Sequence, residues 1–116
     1  ITPASRRLHM RRLKDVIGHD HVRLATEEEM RAAFPEYELG ALPPLPGLLG
    51  VTGYLDPAVL EHYLVAFADG RRTESMISSP RRLFWGQPVF VAPVTWDPDR
   101  DLYFEGDSVD VKEWTD

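Results

Sequence analysis

The sequence contains no cysteine among its 116 residues. This absence excludes disulfide bonds, thiolate metal sites and a cysteine nucleophile, and it is typical of a reducing compartment. No apolar run approaches the roughly 20 residues that a membrane span needs. The basic N-terminal stretch also lacks the apolar segment of a secretory signal. We therefore expect a cytoplasmic protein without a membrane partner.

The composition is that of an ordinary globular chain. About 43% of the residues are hydrophobic and 28% are charged, which is close to the average for soluble domains. The length suits one domain and a modest core. Four dispersed histidines do not form a ligand pattern for a metal, so we expect neither a metal nor a cofactor.

The net charge of −6 comes from one end of the chain. In the segment 97–116, eight acidic residues face two basic ones, and the rest of the chain is neutral. Basic residues cluster instead at 6–14, 71–72 and 81–82. Such clusters can bind phosphates or form a solvated helix face and loop. The acidic tail is interpreted as a solvated end or, alternatively, as a nucleic-acid mimic that covers the basic face.

Local signals predict several short helices. Apolar residues at helical spacing predict a helix over 8–17 with His9 as N-cap, ended by Gly18. Thr26 and Glu29 form a capping-box pattern before a second helix. Asp56-Pro57 and Ser79-Pro80 each predict a further helix start, since proline is favoured at the first helical position.

The predicted strands are short and lie mainly in the second half of the chain. Between them, the proline-rich segment 40–47 predicts a stiff loop, because proline lacks an amide donor. The strands are expected at 21–25, 49–55, 63–68, 73–78 and 89–94, with 63–68 covered on both faces and 102–104 pairing back on 89–94 as a hairpin.

Six segments follow one another between Thr2 and Phe84 in a characteristic order. They are Pro3-Ala4-Ser5-Arg6-Arg7-Leu8; the helix start Ala25–Met30; Phe34-Pro35; the Gly-x-x-x-Pro loop Gly40–Pro44; the turn Ala68–Ser75; and Ser79-Pro80. Their order and spacing, more than any single motif, resemble the YbaK/ProX family of aminoacyl-tRNA deacylases, in which the first segment reads Pro-Ala-Asp-Arg-Arg-Leu.

The resemblance implies an α/β (α+β) fold with a mixed, mostly antiparallel curved sheet and flanking helices, in which the family's first strands are missing. We expect the editing-like domain to span 1–86 and a hairpin with an acidic tail to span 87–116. The 87–116 hairpin is expected to cover the sheet edge that the missing strands would have paired. Alternatively, that edge pairs with a second chain and produces a homodimer.

The resemblance also implies the hydrolysis of small amino acids mischarged on proline tRNA, a second sieve in translation. It assigns backbone amides near the reacting ester to the loop, whose residues are Gly40, Ala41, Leu42 and Pro44. Gly70 and Thr73 would form the opposite wall, and Arg71, Arg72, Arg6 and Arg7 would bind phosphates. The ribose hydroxyl of the substrate would position the attacking water. The implied partners are the aminoacylated 3′ end of tRNA and an aminoacyl-tRNA synthetase.

Two positions depart from the family pattern. The family's lysine lies upstream of the Pro-Ala segment, before Ile1, and Lys14 on the basic helix does not replace it. Arg72 stands where a histidine is common, and an arginine is a poor general base. Two alternatives to a deacylase therefore stay open: a non-catalytic module that binds tRNA, a synthetase or a small ligand, and a truncated product that keeps only the fold.

Overall fold

The computed structural model describes residues 1–97 and the two-residue strand Lys112–Glu113. Within them, five short helices and five short strands form a mixed α/β arrangement, as the expected fold class requires. The helices are α1 Met10–Ile17, α2 Glu27–Ala33, α3 Pro46–Leu49, α4 Pro57–Leu60 and α5 Pro80–Phe84, and the strands are β1 Gly53–Leu55, β2 Val65–Ala68, β3 Ser75–Ser78, β4 Val89–Val91 and β5 Lys112–Glu113. None of the described helices is long and apolar enough to cross a membrane.

Helix α1 begins and ends where its sequence predicts. The Nδ1 atom of His9 accepts a hydrogen bond from the Arg12 amide at 3.2 Å, and Gly18 ends the helix in the left-handed region. Arg12 is buried, and its Nη1 donates to the Thr95 carbonyl oxygen at 3.2 Å. This arginine of the N-terminal basic cluster therefore holds the helix against the rest of the fold.

Helix α2 confirms the predicted capping box, whereas the strand expected just before it is wrong. Thr26 Oγ1 accepts from the Glu29 amide, and the Glu29 carboxylate accepts from the Thr26 amide. Residues 21–25 form no regular structure. Arg23 instead pairs with Glu29 at 2.7 Å, and no strand among residues 1–97 and 112–113 pairs with the segment.

The predicted strand over 49–55 is correct only in its second half. Pro46 at the first helical position starts α3, and Gly50 with φ +71° ends it. The stiff loop therefore stops at Leu45 instead of Gly47. Strand β1 begins at Gly53, whose missing Cβ leaves room for Pro46, since a Cβ there would lie 2.5 Å from Pro46 Cγ.

The larger sheet has the order β1-β4-β5. Strand β4 runs parallel to β1 with Tyr54 opposite Phe90, and β5 is antiparallel to β4. On the other side of β1, the Ile1 amine donates to the Tyr54 carbonyl and the Asp56 amide donates to the Ile1 carbonyl. Strand β4, from the 87–116 segment that was expected to cover a sheet edge, pairs with β1. Its predicted hairpin partner 102–104 lies outside the described residues.

Strands β2 and β3 form a separate antiparallel pair with Ala66 opposite Ile77. The expectation that the strand over 63–68, observed as β2, is covered on both faces is wrong. Ala66 is exposed, and Met76 and Ile77 on the partner strand are 51% and 69% exposed. The faces of such a two-stranded sheet can be buried only by elements packed on them, and the exposed side chains show that part of this sheet lacks such cover.

The core lies between the larger sheet and the last two helices. Leu55, Val59, Phe84 and Val89 form its buried cluster. Asp56, at the end of β1, is also buried. Its Oδ2 accepts from the Val94 amide, the Thr95 amide and the Thr95 hydroxyl, at 3.0, 3.0 and 2.7 Å, while its Oδ1 caps α4 through the Ala58 amide at 2.9 Å.

Burial by itself would raise the pKa of Asp56. The hydrogen bonds from Ala58, Val94 and Thr95 outweigh that effect and lower the pKa below its ordinary value. The charged carboxylate therefore joins β1, α4 and the segment after β4 into one unit.

Candidate functional site

An open cleft of about 720 Å³ lies between the N-terminal segment, the Gly40–Pro44 loop, β2 and α5. Its walls come from residues 1–5, residues 64–68 and the side chains of Leu83 and Phe84, together with Gly40, Leu42 and Pro44. The volume lies in the range of small-molecule sites. The segments that form it are far apart in the sequence, so the fold creates the cleft.

The Gly40–Pro44 loop presents every second residue to the cleft. Gly40, Leu42 and Pro44 line it, whereas Ala41 and Pro43 are buried on the opposite side. This alternation is that of an extended chain, which the residue before a proline prefers. Gly40 has φ +83°, a conformation that glycine adopts without the steric cost of a side chain. The two prolines then keep the loop stiff.

Only some amides of this loop can serve a ligand. The Ala41 amide donates to the Glu38 carbonyl oxygen at 3.0 Å, so the expected donor at this position is already occupied. Pro43 and Pro44 have no N–H. Within residues 1–97 and 112–113, the amides of Gly40 and Leu42 have no acceptor, and these two residues line the cleft. Gly40 and Leu42 are therefore the amide donors that the loop offers.

Three hydrogen bonds and one packing contact fasten the loop to the turn after β2. The Glu38 amide donates to the Gly70 carbonyl oxygen at 2.8 Å. In the other direction, the Arg72 amide donates to Glu38 Oε2 at 3.0 Å and Arg72 Nε donates to the Leu39 carbonyl oxygen at 2.6 Å. The Ala41–Glu38 bond lies within the loop itself. We call residues Glu38, Leu39, Gly70 and Arg72 the loop clamp.

Gly70 fits this clamp because it has no side chain. It is buried with φ +116°, and a Cβ at this position would lie 2.8 Å from Tyr37 Cδ1. The Tyr37 ring therefore packs directly on the backbone of the turn. The Gly40 loop and the Gly70 turn, which the resemblance assigned to opposite walls of one site, are thus joined directly, and the described cleft lining includes neither Gly70 nor Thr73.

Comparison with known proteins identifies the family. The sequence model of the aminoacyl-tRNA editing domain matches residues 1–84, which include the cleft-lining segments, the loop and the clamp. The chain belongs to the aminoacyl-tRNA editing domain family. This confirms the resemblance drawn from the sequence and is consistent with a YbaK-like deacylase domain. Neither the curated proteins nor the solved structures gave a match.

Membership of this family implies aminoacyl-tRNA as the substrate and supports deacylation in the service of translation fidelity. The editing-domain match ends at Phe84, the last residue of α5. Strands β4 and β5 lie beyond it, although β4 pairs with β1 inside the same sheet.

The remaining predicted site residues of the editing domain lie beside the cleft, outside its lining. Arg71 and Thr73 are exposed in the turn after β2. Arg6 lies 4.0 Å from the Asp97 carboxylate, and the guanidinium of Arg7 lies 5.7 Å from the centre of the Trp96 ring. Arg6 and Arg7 follow directly on residues 1–5, so they flank the N-terminal wall.

Sequence reasoning did not place His62 in the site. It follows α4 and lines the cleft, where it is the only titratable side chain among the described lining residues. The apolar run that begins at Tyr63 could have indicated that β2 and its approach form a wall, but nothing local shows which wall faces the loop. The described residues contain no cluster of three or more metal-ligating side chains.

Proposed function

We propose that this editing domain hydrolyses the ester of a small amino acid mischarged on proline tRNA, acting in trans on free aminoacyl-tRNA. The observation that carries the proposal is that Gly40 and Leu42, on the wall of the cleft, have amides without an acceptor in the described part of the chain. We further propose that the protein works in the cytoplasm, alongside the synthetase that produces the mischarged tRNA.

The two amides can stabilise the negative charge that develops on the carbonyl oxygen during ester hydrolysis. A water oxygen attacks the ester carbonyl carbon, and the carbonyl oxygen takes up negative charge. The intermediate then expels the ribose oxygen, which receives the proton that the water loses. Fixed amide donors stabilise such an oxyanion at no cost in reorganisation. In this proposal Gly40 and Leu42 hold the carbonyl oxygen, and the neighbouring ribose hydroxyl orients the water.

The chemistry of the cleft supports an uncharged amino acid as the group removed. None of the described lining residues is lysine, arginine, aspartate or glutamate. An amino acid with a charged side chain would lose its hydration there without gaining a partner. Size selection follows the sieve principle: a separate hydrolytic pocket removes the small competitor that an aminoacylation site cannot strongly reject.

The same lining also favours a second candidate, a non-catalytic module that binds the aminoacylated 3′ end. Apart from the imidazole of His62, the described cleft residues provide no side chain that could transfer a proton. If the substrate hydroxyl does not orient the water, the cleft would bind the ester without cleaving it.

The test is hydrolysis of Ala-tRNA and Cys-tRNA made with proline tRNA, with Pro-tRNA as the correctly charged reference. The decisive variant replaces the Leu42 amide by an ester, through incorporation of the α-hydroxy analogue of leucine. It removes one N–H and keeps the side chain. The matched control is the same change at Leu24, an exposed leucine away from the cleft whose amide has no acceptor among the described residues.

We expect turnover of the mischarged tRNAs, sparing of Pro-tRNA, and a loss of about a hundredfold in kcat for the Leu42 ester, the magnitude found when one oxyanion donor is removed. The Leu24 ester should match the unmodified chain. Equal loss in both esters would refute the role of the Leu42 amide. Binding of the charged tRNA without turnover would support the non-catalytic module. Activity that appears only when prolyl-tRNA synthetase is added would contradict action in trans on free tRNA.

A further inference from the structure

The guanidinium of Arg72 is bound to the peptide group that carries one of the two proposed donors. Its Nε donates to the Leu39 carbonyl oxygen at 2.6 Å. That carbonyl belongs to the same planar, conjugated unit as the Gly40 N–H. Arg72 Nε and Nη2 also lie within ordinary van der Waals distance of where a Gly40 Cβ would be, at 3.8 and 3.9 Å. The positive charge is therefore adjacent to the Leu39–Gly40 peptide.

A positive charge beside the carbonyl oxygen of a peptide group changes the strength of its N–H as a hydrogen-bond donor. Hydrogen bonds in which the donor is ionised are shorter and roughly twice as strong as neutral ones. Hydrogen bonds linked through a shared group also polarise one another. Arginine keeps its charge at all ordinary pH values. Pulling electron density toward the Leu39 oxygen makes the Gly40 N–H a stronger donor.

We infer that Arg72 is a positioning residue for deacylation, which fixes the orientation of the Leu39–Gly40 peptide and strengthens the Gly40 N–H toward the ester carbonyl. This inference rests on the proposed function, in which that N–H meets the oxyanion. It replaces the expectation that Arg72 acts mainly on phosphates.

The backbone of Arg72 supports the same role. Its amide donates to Glu38 Oε2 at 3.0 Å, and the Glu38 amide donates to the Gly70 carbonyl oxygen at 2.8 Å. Both ends of the bond between Arg72 and Leu39 are therefore anchored within the loop clamp. A side chain that swings freely to capture phosphates would not be held in this way.

Arg71 provides a matched control. It is the adjacent residue with the same charge, and it is exposed, with no hydrogen-bond or ion-pair partner for its side chain among the described residues. A phosphate contact is the natural role for Arg71. Comparing Arg71→Gln with Arg72→Gln therefore separates charge near the tRNA from charge on the Leu39 carbonyl.

The first experiment needs no activity. Amide NMR spectra of the free chain are compared among the unmodified protein, Arg72→Gln, Arg72→Lys and Arg71→Gln. We expect the Gly40 amide to move markedly in Arg72→Gln, less in Arg72→Lys and hardly at all in Arg71→Gln. A Gly40 amide that stays in place when Arg72 is neutralised overturns the inference, whether or not the protein hydrolyses any tRNA.

The second experiment separates the kinetic constants. We expect Arg72→Gln to lower kcat about tenfold with an almost unchanged KM, since the donor is weakened but still present. Arg72→Lys, which keeps the charge without the planar fork, should recover part of the loss. An increase in KM for Arg72→Gln, with a salt dependence of binding reduced by about one phosphate contact, would instead make Arg72 a phosphate ligand and overturn the inference.

The experiments can refute the deacylase function and the role of Arg72 independently of each other. An unmodified chain that hydrolyses none of the three charged tRNAs refutes the deacylase function, while the NMR comparison still decides whether Arg72 controls the Gly40 amide. Normal turnover with an unchanged kcat in Arg72→Gln refutes the inference and leaves the function intact.

Discussion

Two carboxylates, Asp56 and Glu38, perform the same task in opposite surroundings. Each accepts backbone N–H groups from a distant part of the chain, Asp56 from Val94 and Thr95 and Glu38 from Arg72. Asp56 is 2% exposed and lies at the centre of the fold. Glu38 is exposed and lies behind the candidate loop. The bonds are alike in length, but the cost of losing them differs.

The difference in burial between Asp56 and Glu38 explains why losing their hydrogen bonds has different costs. When a buried acceptor is removed, its donors lose their partner and cannot reach water, so the full desolvation penalty appears in the free energy of unfolding. Donors released from an exposed acceptor are solvated instead, and the net loss is small. We therefore expect the Asp56 contacts to determine stability and the Glu38 contacts to determine the position of the loop.

The largest expected effect follows from Asp56→Ala. The change leaves the amides of Ala58, Val94 and Thr95 and the Thr95 hydroxyl without their acceptor, so we expect the free energy of unfolding to fall by about 4 kcal/mol, within the penalty for several unmet buried donors. Chemical denaturation followed by fluorescence measures it. A loss below about 1 kcal/mol would contradict the assigned role of burial.

The pH dependence of stability gives the control for Asp56. Its folded pKa is lowered, so its contribution is complete above the unfolded value of about 3.9 and is lost as the pH falls through the lower folded value. Asp56→Asn keeps one acceptor oxygen but cannot titrate. It should retain part of the stability and remove this acid-dependent component.

Gly70→Ala should have the next largest effect, because it affects both packing and the loop clamp. The added Cβ would meet the Tyr37 ring at 2.8 Å in a backbone with φ +116°, and we expect a loss of about 2 kcal/mol in the free energy of unfolding. Gly86→Ala is the matched control, since it also has a positive φ but nothing within 4 Å. It should cost only about 1 kcal/mol. Equal losses would mean that backbone strain, and not the contact with Tyr37, explains Gly70.

Glu38→Ala should change activity more than stability. We expect the free energy of unfolding to stay within about 0.5 kcal/mol, as is usual for surface positions. Deacylation of mischarged proline tRNA should fall about tenfold, because the loop loses one of its two hydrogen bonds to Arg72. Glu36→Ala, an exposed neighbour that has no partner among the described residues, should leave both unchanged. A stability loss as large as that of Asp56→Ala would remove the distinction between the two carboxylates.

The sequence predicted what local chemistry controls. The His9 cap, the capping box at Thr26 and the helix starts at Pro57 and Pro80 depend on residues within four positions of each other, and all are confirmed. The strand expected at 21–25 failed because a strand needs a partner from elsewhere in the chain, which alternation of side chains does not guarantee.

The site was predictable to the same limited extent. The resemblance placed the Gly40 loop and the Gly70 turn on opposite walls of one site, whereas the clamp joins the two segments directly. It did not reveal that the Ala41 amide is occupied, that Arg72 is fixed to Leu39 or that His62 faces the cleft. Each of these depends on the path of the backbone or on contacts between distant segments, such as Arg72 and Leu39, which are 33 residues apart, and composition and spacing do not encode such contacts.

The smallest effect is expected at Glu29, where a carboxylate accepts several hydrogen bonds yet is exposed. The hydrogen bond from Arg23, followed by those with Thr26, lowers the pKa of Glu29 to about 2. The contribution of Glu29 to the free energy of unfolding is therefore complete above the unfolded pKa of about 4.3 and is lost as the pH falls toward the folded pKa.

Arg23→Gln should raise the Glu29 pKa toward its ordinary value, as carboxyl NMR titration would show, with almost no change in Tm. Because solvent screens the exposed ion pair, a shifted pKa here accompanies little stability. A drop in Tm for Arg23→Gln comparable to that of Asp56→Ala would mean that bonding alone, irrespective of burial, sets what a carboxylate contributes to this fold.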